Sequence, residues 1–360
     1  MGSVTLPLEI IYSIAQILTN HSKSILSLCV VNKEIYYGLC ALLYRSVWLS
    51  STDSVISFCD IVTSPETRRS TYVIALQIGP DWCVDGENFR LSREVAPQLR
   101  RALYNLHNLK HLSLATSPGT LNILLSDLSV SFKLDTFIHS GRLSMPMLRF
   151  LEAQPSMTSL GWYGTMTEIE LHSLTISLKE NLTLLPKLEA IEGPLYIIRV
   201  LIPLRPISRV TTSIRKSGRG RPYVATFIDM IRHTMVPVTR LCIVNDDPMG
   251  PMAVKLLKAL PGTSAFSDLK DLQMVNLFNP NKNYNHLKIE DTFLDNVPFY
   301  FLRFNALEKF EFSYALGTRH TPLLEDIRTW LRVHEMDQLS HWRALSPSMR
   351  TVIFCGHVID

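Results

Sequence analysis

The sequence has no uncharged apolar run of about 18 residues, the length a membrane-spanning helix needs. The nearest candidate, "PLYIIRVLIPL" at 194–204, is short and interrupted by Arg199. Cysteine is sparse. The six cysteines, Cys29, Cys40, Cys59, Cys83, Cys242 and Cys355, form no CxxC pair. Such spacing suggests buried thiols in a reducing compartment and argues against a disulfide frame or a zinc site. Charge of one sign is also lacking: charged residues make up 19% and the net charge is +4, so no acidic tail is present and nucleic acid is not demanded as a partner. There is no GxSxG elbow, no phosphate-binding P-loop and no GxGxxG turn, so the expectation is a non-enzyme without cofactor or metal. Glu9 interrupts the segment where a secretory leader needs a clean apolar stretch, which places the protein by expectation in cytoplasm or nucleus. The sequons at Asn20 and Asn181 are then idle.

Apolar residues, by contrast, are abundant at 46%, enough for a sizeable core. At 360 residues the chain is too long for one small core and suggests two domains or one elongated array. The first fifty residues are the greasiest part. In "LPLEIIYSIAQIL" (6–18) Pro7 suits a first helical turn, and Glu9 faces the positive end of the helix dipole. Ile10, Ile11, Ile14, Ile17 and Leu18 then fall at helical spacing. After "NHSKS", residues 25–44 are apolar except for Ser27, Asn32, Lys33, Glu34 and Gly38. Asn32 is placed to cap a new helix there, with Glu34 in its first turn. A three-helix unit of this size cannot bury all these side chains within itself, so some must lie against another body. That body is either the rest of the chain or a separate partner.

The order of these elements bears on that choice. A Leu-Pro-x-Glu start, an Ile/Leu ladder, a Leu-x-x-Val-Asn-Lys segment and a closing Leu-Tyr-Arg resemble the F-box of fungal F-box proteins over residues 5–49. The resemblance implies a helical surface that binds a Skp-type adaptor, and through it the cullin of a ubiquitin ligase. Carried over by position, the adaptor contacts are Leu6, Pro7, Leu8, Ile10, Ile14, Leu26, Val30, Val31 and Leu43. Glu9 reads as a local dipole-compensating residue, and Tyr36 and Tyr37 as internal packing.

Beyond residue 50 short strand-like pieces recur: 109–116, 134–140, 157–164, 188–193, 208–214, 238–245, 269–276, 307–314 and 349–356. Helical stretches at 222–235 and 321–336 lie among them, the second opened by Thr321 and Pro322. Taking Leu112, Phe137, Leu160, Ile191, Val210, Leu241, Leu272, Phe310 and Val352 as equivalent gives steps of 19 residues (191 to 210) up to 42 (310 to 352). "LHNLKHLSL" and "FSDLKDLQM" resemble the strand of a leucine-rich repeat, whose period is about 20–29 residues. The asparagine ladder is absent, so the resemblance is to a divergent, irregular member. The expected fold is an α/β solenoid: a three-helix F-box (1–50), then an irregular leucine-rich-repeat horseshoe (51–360) that recognises a target protein. In such strands the leucines point inward and the residues between them outward. The outward candidates for substrate contact are Ser113, Tyr163, Arg209, Arg240, Gln273, Lys309 and Glu311.

Other motifs are weaker. The basic loop "RKSGRGRPY" (215–223) carries Arg215, Lys216, Arg219 and Arg221, and its Arg-Gly-Arg-Pro resembles the core of an AT-hook. It reads first as a solvated loop after a strand, and only second as a grip for a phosphorylated substrate. His107 and His111 have the spacing of two helical metal ligands, yet His111 begins a strand-like piece and no acid follows His107. Asp246 and Asp247 precede a proline and read as a turn. Together these readings favour a substrate-recognition subunit of a ubiquitin ligase, bound to a Skp-type adaptor, a cullin and an unknown protein substrate. The alternative is a repeat scaffold whose first helices only cap the stack.

Overall fold

The computed structural model describes residues 7–18, 22–65, 68–79, 91–126, 130–214, 223–245, 257–260, 266–276, 300–302, 304–314 and 324–360. The protein is mixed α/β and divides into two compact units, Met1–Met157 and Thr158–Asp360. The amino-terminal helices, expected as a separate segment 1–50, belong to the first of these.

In the first unit α1 (Leu8–Ile17), α2 (Ser22–Cys29) and α3 (Lys33–Arg45) precede β1 (Ser46–Leu49) and α4 (Thr52–Thr63). Then come β2 (Ala75–Ile78), α5 (Ala96–Tyr104), β3 (His111–Leu114), α6 (Pro118–Leu125), β4 (Thr136–His139) and α7 (Met145–Glu152). Asn32 caps α3 as expected, its side chain accepting from the Ile35 N–H at 2.8 Å. Pro7 sits one place earlier than expected, at the N-cap, where its carbonyl accepts from the Ile10 and Ile11 amides. Strands β1 to β4 pair in parallel and in chain order, with Val47, Leu76, Leu112 and Phe137 in one register row.

The second unit holds β5 (Ser159–Trp162), α8 (Glu168–Glu180), β6 (Ala190–Pro194), α9 (Leu195–Leu201), β7 (Arg209–Ile214), α10 (Tyr223–Ile231), β8 (Arg240–Asn245), β9 (Asp271–Asn276) and β10 (Lys309–Tyr314). Helices Leu324–Val333 and Leu339–Leu345 follow, then β11 (Thr351–Phe354) and β12 (His357–Ile359). Strands β5 to β11 are parallel neighbours in chain order, and β12 turns back antiparallel on β11. Leu160, Ile191, Val210, Leu241, Leu272, Phe310 and Val352 share one register row, so the equivalences drawn from the sequence are the register of the sheet. All of them are buried. Two places on, Trp162, Ile243, Met274, Phe312 and Phe354 are buried as well, because residues i and i+2 of a strand share a face. Gly193 stands in this second layer, where a side chain would run into the carbonyl of Trp162.

One backbone device recurs in both units. The carbonyl just before a strand accepts two amides of the next strand's start. Thr158 takes Glu189 and Ala190, Glu189 takes Ser208 and Arg209, Ser208 takes Thr239 and Arg240, and Thr239 takes Lys270 and Asp271. Lys270 and Glu308 continue the series, and Ile74 and Lys110 do the same in the first unit. These groups are therefore satisfied without any side chain.

Two expectations shift. Helix α10 ends at Ile231, so Met235 lies past it and is exposed. The last strand-like piece ends at Phe354, since Cys355 and Gly356 both take positive φ (51° and 85°) and make the two-residue turn into β12.

Candidate interaction surfaces

The first three helices enclose a small core of Ala15, Ile25, Cys29, Ile35, Leu39 and Leu42. Leu8, Ile11, Tyr12, Leu18, Leu28, Tyr36 and Leu43 pack against it from the sides. Helix α1 is apolar on more than one face, so only part of it can turn inward. Ile10 (46% exposed), Ile14 and Ile17 (82%) follow one another at steps of four and three residues on its outer side. On α2 and the turn after it Leu26, Val30 (83%) and Val31 are exposed too. The unit thus presents several large apolar side chains to solvent, the kind of surface that marks an interaction site.

This geometry sorts the residues carried over by resemblance. Ile10, Ile14, Leu26, Val30 and Val31 lie on the outer surface, and Pro7 is exposed beside them. Leu8 and Leu43 are half-buried against the inner cluster, where they help hold the helices together. Leu8 in particular is tucked at the α1–α3 crossing, its methyls 3.1–3.2 Å from where a Cβ on Gly38 would stand. Leu6 lies outside the described residues. Ile17 and Tyr37 (72% exposed) are on the surface and were not among the residues carried over, and Tyr37 does not pack internally as expected. Tyr36 does pack, with the Arg69 guanidinium carbon 6.0 Å above its ring and 5.5 Å from that of Tyr44.

On the second unit Arg209 and Arg240 are exposed and Gln273, Lys309 and Glu311 half-buried, and together they form a polar sheet face. Arg209 and Arg240 are register neighbours. Arg209 Nη2 lies 3.4 Å from Glu189, and Arg240 Nε 3.2 Å from Asp271. Gln273 stands beside Glu311 and donates to its Oε1 at 2.9 Å, while Lys309 Nζ donates to Oε2 at 3.1 Å. Tyr163, just past β5, donates its hydroxyl proton to Glu192. Gln273, Lys309 and Glu311 are therefore one cluster, Arg209 and Arg240 another, and Tyr163 a third position along the face. Ser113 belongs to the first unit, on β3 between Gln77 and Ile138. Glu189, Glu192 and Asp271 complete these contacts and were missed, although the alternation in "LEAIEG" and "LKDLQM" carried the signal. Each cation here has an acid beside it, so the face suits a polar protein surface of mixed charge better than a polyanion.

The basic loop (Arg215, Lys216, Arg219, Arg221), Asp246, Asp247 and Cys83 lie outside the described residues. His107 hydrogen-bonds Ser131 through Nδ1 at 2.7 Å, and no cluster of potential metal ligands exists among the described residues. Also among the described residues, no helix is long and apolar enough to cross a membrane. Cys29, Cys40, Cys59 and Cys242 are buried free thiols, and burial pushes the Cys59 thiol up to about 12, which keeps it unreactive. No protein-family model matches the chain, and no curated protein matches it significantly.

Proposed function

We propose that the protein is the substrate-recognition subunit of a cullin-type ubiquitin ligase, and that it makes and breaks no covalent bonds itself. The α1–α3 surface docks a Skp-type adaptor, and the strand–helix repeats, read as an irregular leucine-rich-repeat solenoid, hold a target protein in cytoplasm or nucleus. The contribution to catalysis is proximity: a tethered target lysine meets the charged ubiquitin carrier at high effective concentration. The observation that carries this reading is the exposed set Ile10, Ile14, Ile17, Leu26, Val30 and Val31 on helices whose own core is already complete.

Full burial of one such side chain against a partner contributes about 1.5–3 kcal/mol, and a few well-packed ones dominate an interface. The test is capture of purified Skp-type adaptor by the full chain, with Ile14→Asp and Val30→Asp as the disrupting pair. Both positions face outward, so the variant keeps the wild-type melting temperature while capture falls at least about tenfold. Leu8 is a poor choice for this purpose because its loss also loosens the helices. Undiminished capture by the double variant, or no capture by the wild type, refutes the reading and leaves the capped scaffold.

A further inference from the structure

The geometry points to a second binding site, in the first unit, for a phosphate monoester whose carrier includes a planar ring. A cleft of about 520 Å³ opens where α1, α3, the turn Arg69–Tyr72 and the loop before β3 meet. Tyr12, Arg45, Tyr72, Ile74, Asn108 and Lys110 line it, and among the described residues no acidic side chain does. Arg45, Ile74 and Lys110 hold the same place in successive repeats. The Arg45 carbonyl accepts from the Ile74 amide at 3.0 Å, and the Ile74 carbonyl from the Lys110 amide at 2.8 Å. Neighbouring strands lie about 4.8 Å apart, so the two cations start roughly 10 Å from each other with Ile74 as the floor between them. Two side chains of this length converge readily on one anion.

The charges in the cleft are under-used by the protein. Among the described residues Arg45 has no ion-pair partner, and Lys110 reaches Asp135 only at 3.9 Å, with both groups well exposed. The Tyr12 and Tyr72 hydroxyls make no hydrogen bond among the described residues. Asn108 is fixed, its Nδ2 donating to the Thr71 carbonyl at 2.7 Å. A guanidinium fork and an ammonium suit a phosphate's oxygens, and the exposed ring of Tyr72 offers a face on which a planar group stacks, with the half-buried Tyr12 also in the lining.

The second unit supplies an internal control. Its cleft at the corresponding edge, about 580 Å³, is walled by Pro186, Pro206 and Pro237 and carries Lys187 with Glu189 and Asp268. There the acids outnumber the cation, and an anion gains nothing.

Isothermal titration of the full chain at constant ionic strength tests the site, using O-phosphotyrosine, adenosine monophosphate and inorganic phosphate as probes. The expected result is saturable binding, with at least one of the ring-bearing probes about fivefold tighter than inorganic phosphate. Preference for phosphotyrosine identifies a modified protein segment as the source, and preference for the nucleotide a free small molecule; either supports the site. Arg45→Gln with Lys110→Gln abolishes binding at an unchanged melting temperature, Tyr72→Ala removes only the ring preference, and Lys187→Gln changes nothing. Equal affinity in the double variant, or no saturable binding of any probe, overturns the assignment.

Discussion

The two units use one construction and leave opposite surfaces. In the second, charges on the open sheet face and along its edge each have an opposite charge on a neighbouring strand: Glu189 with Arg209, Arg240 with Asp271, Lys270 with Glu308, and Glu308 with Arg350. In the first, the comparable edge carries Arg45 and Lys110 with little compensation, and the helices before it turn isoleucine and valine to solvent. A neutralised surface is stable as it stands. An uncompensated one still gains from an added opposite charge or apolar cover. The lesson is that a repeat architecture sets where side chains point, while their pairing sets which parts are free to bind.

The widest separation between the two kinds of position is energetic. Phe310→Ala, deep in the second unit's core row, should cost about 3–5 kcal/mol. Ile14→Asp on the outer side of α1 should stay within about 0.5 kcal/mol, and chemical denaturation measures both. A comparable loss from Ile14→Asp means that its side chain is packed and the exposed-surface argument fails.

Arg205 gives the next effect. This buried cation donates from Nε to the Leu184 carbonyl at 2.7 Å and from Nη2 to the Leu178 and Asn181 carbonyls at 3.1 Å each, so it closes the carboxyl end of α8. Arg205→Ala strands these acceptors and should destabilise the second unit by about 2–4 kcal/mol. Lys in its place should recover only part, having no planar fork.

Acid should separate the units in a different way. His139 is wholly buried in the first unit, stacked on Phe137 with ring centroids 4.8 Å apart, and its Nδ1 accepts the Gly141 amide at 3.1 Å. Burial pushes its pKa down from 6.5 to about 3. Between those values the unfolded chain binds a proton that the folded chain refuses, so stability is full above pH about 6.5 and falls as the pH drops below it. By pH about 4.5 the loss should be on the order of 2 kcal/mol. His139→Phe should flatten this part of the profile, and an unchanged slope assigns the acid sensitivity elsewhere.

The smallest effect concerns the paired charges. Arg240→Gln should cost no more than about 0.5 kcal/mol, and less still in high salt, because the pair with Asp271 is half in water. A larger, salt-insensitive loss shows that the ladder does more than balance charge.

Much of this was legible in the amino-acid order. Each core position chosen by its Leu-x-Leu setting falls in the sheet register, since a buried parallel strand must alternate and must restart after every helix. Strands β1 and β2 were not seen. The first begins at the residue after α3 ends, so "SVWL" reads as more of an apolar helix, and the second, "ALQI", is too short to stand out. Strand β12 was hidden because its turn uses Cys355 and Gly356 in place of the usual Asn-Gly. For the candidate surface the limit was different. When a helix is apolar nearly all round, spacing shows two greasy faces and cannot tell which is turned inward, and positions carried over by resemblance mix the half-buried Leu8 and Leu43 with the exposed Ile10 and omit Ile17.

The doubled amide clasp on the carbonyl before β2, β3 and β5 to β10 has a consequence for how this molecule can change over time. Because the join is made by main chain alone, it is indifferent to what the intervening segment says or how long it is. Equivalent rungs separated by 19 residues in one place and 42 in another still close in the same way. Lengthening or rewriting a connection therefore leaves the ladder standing, and new loops can be tried without renegotiating the frame.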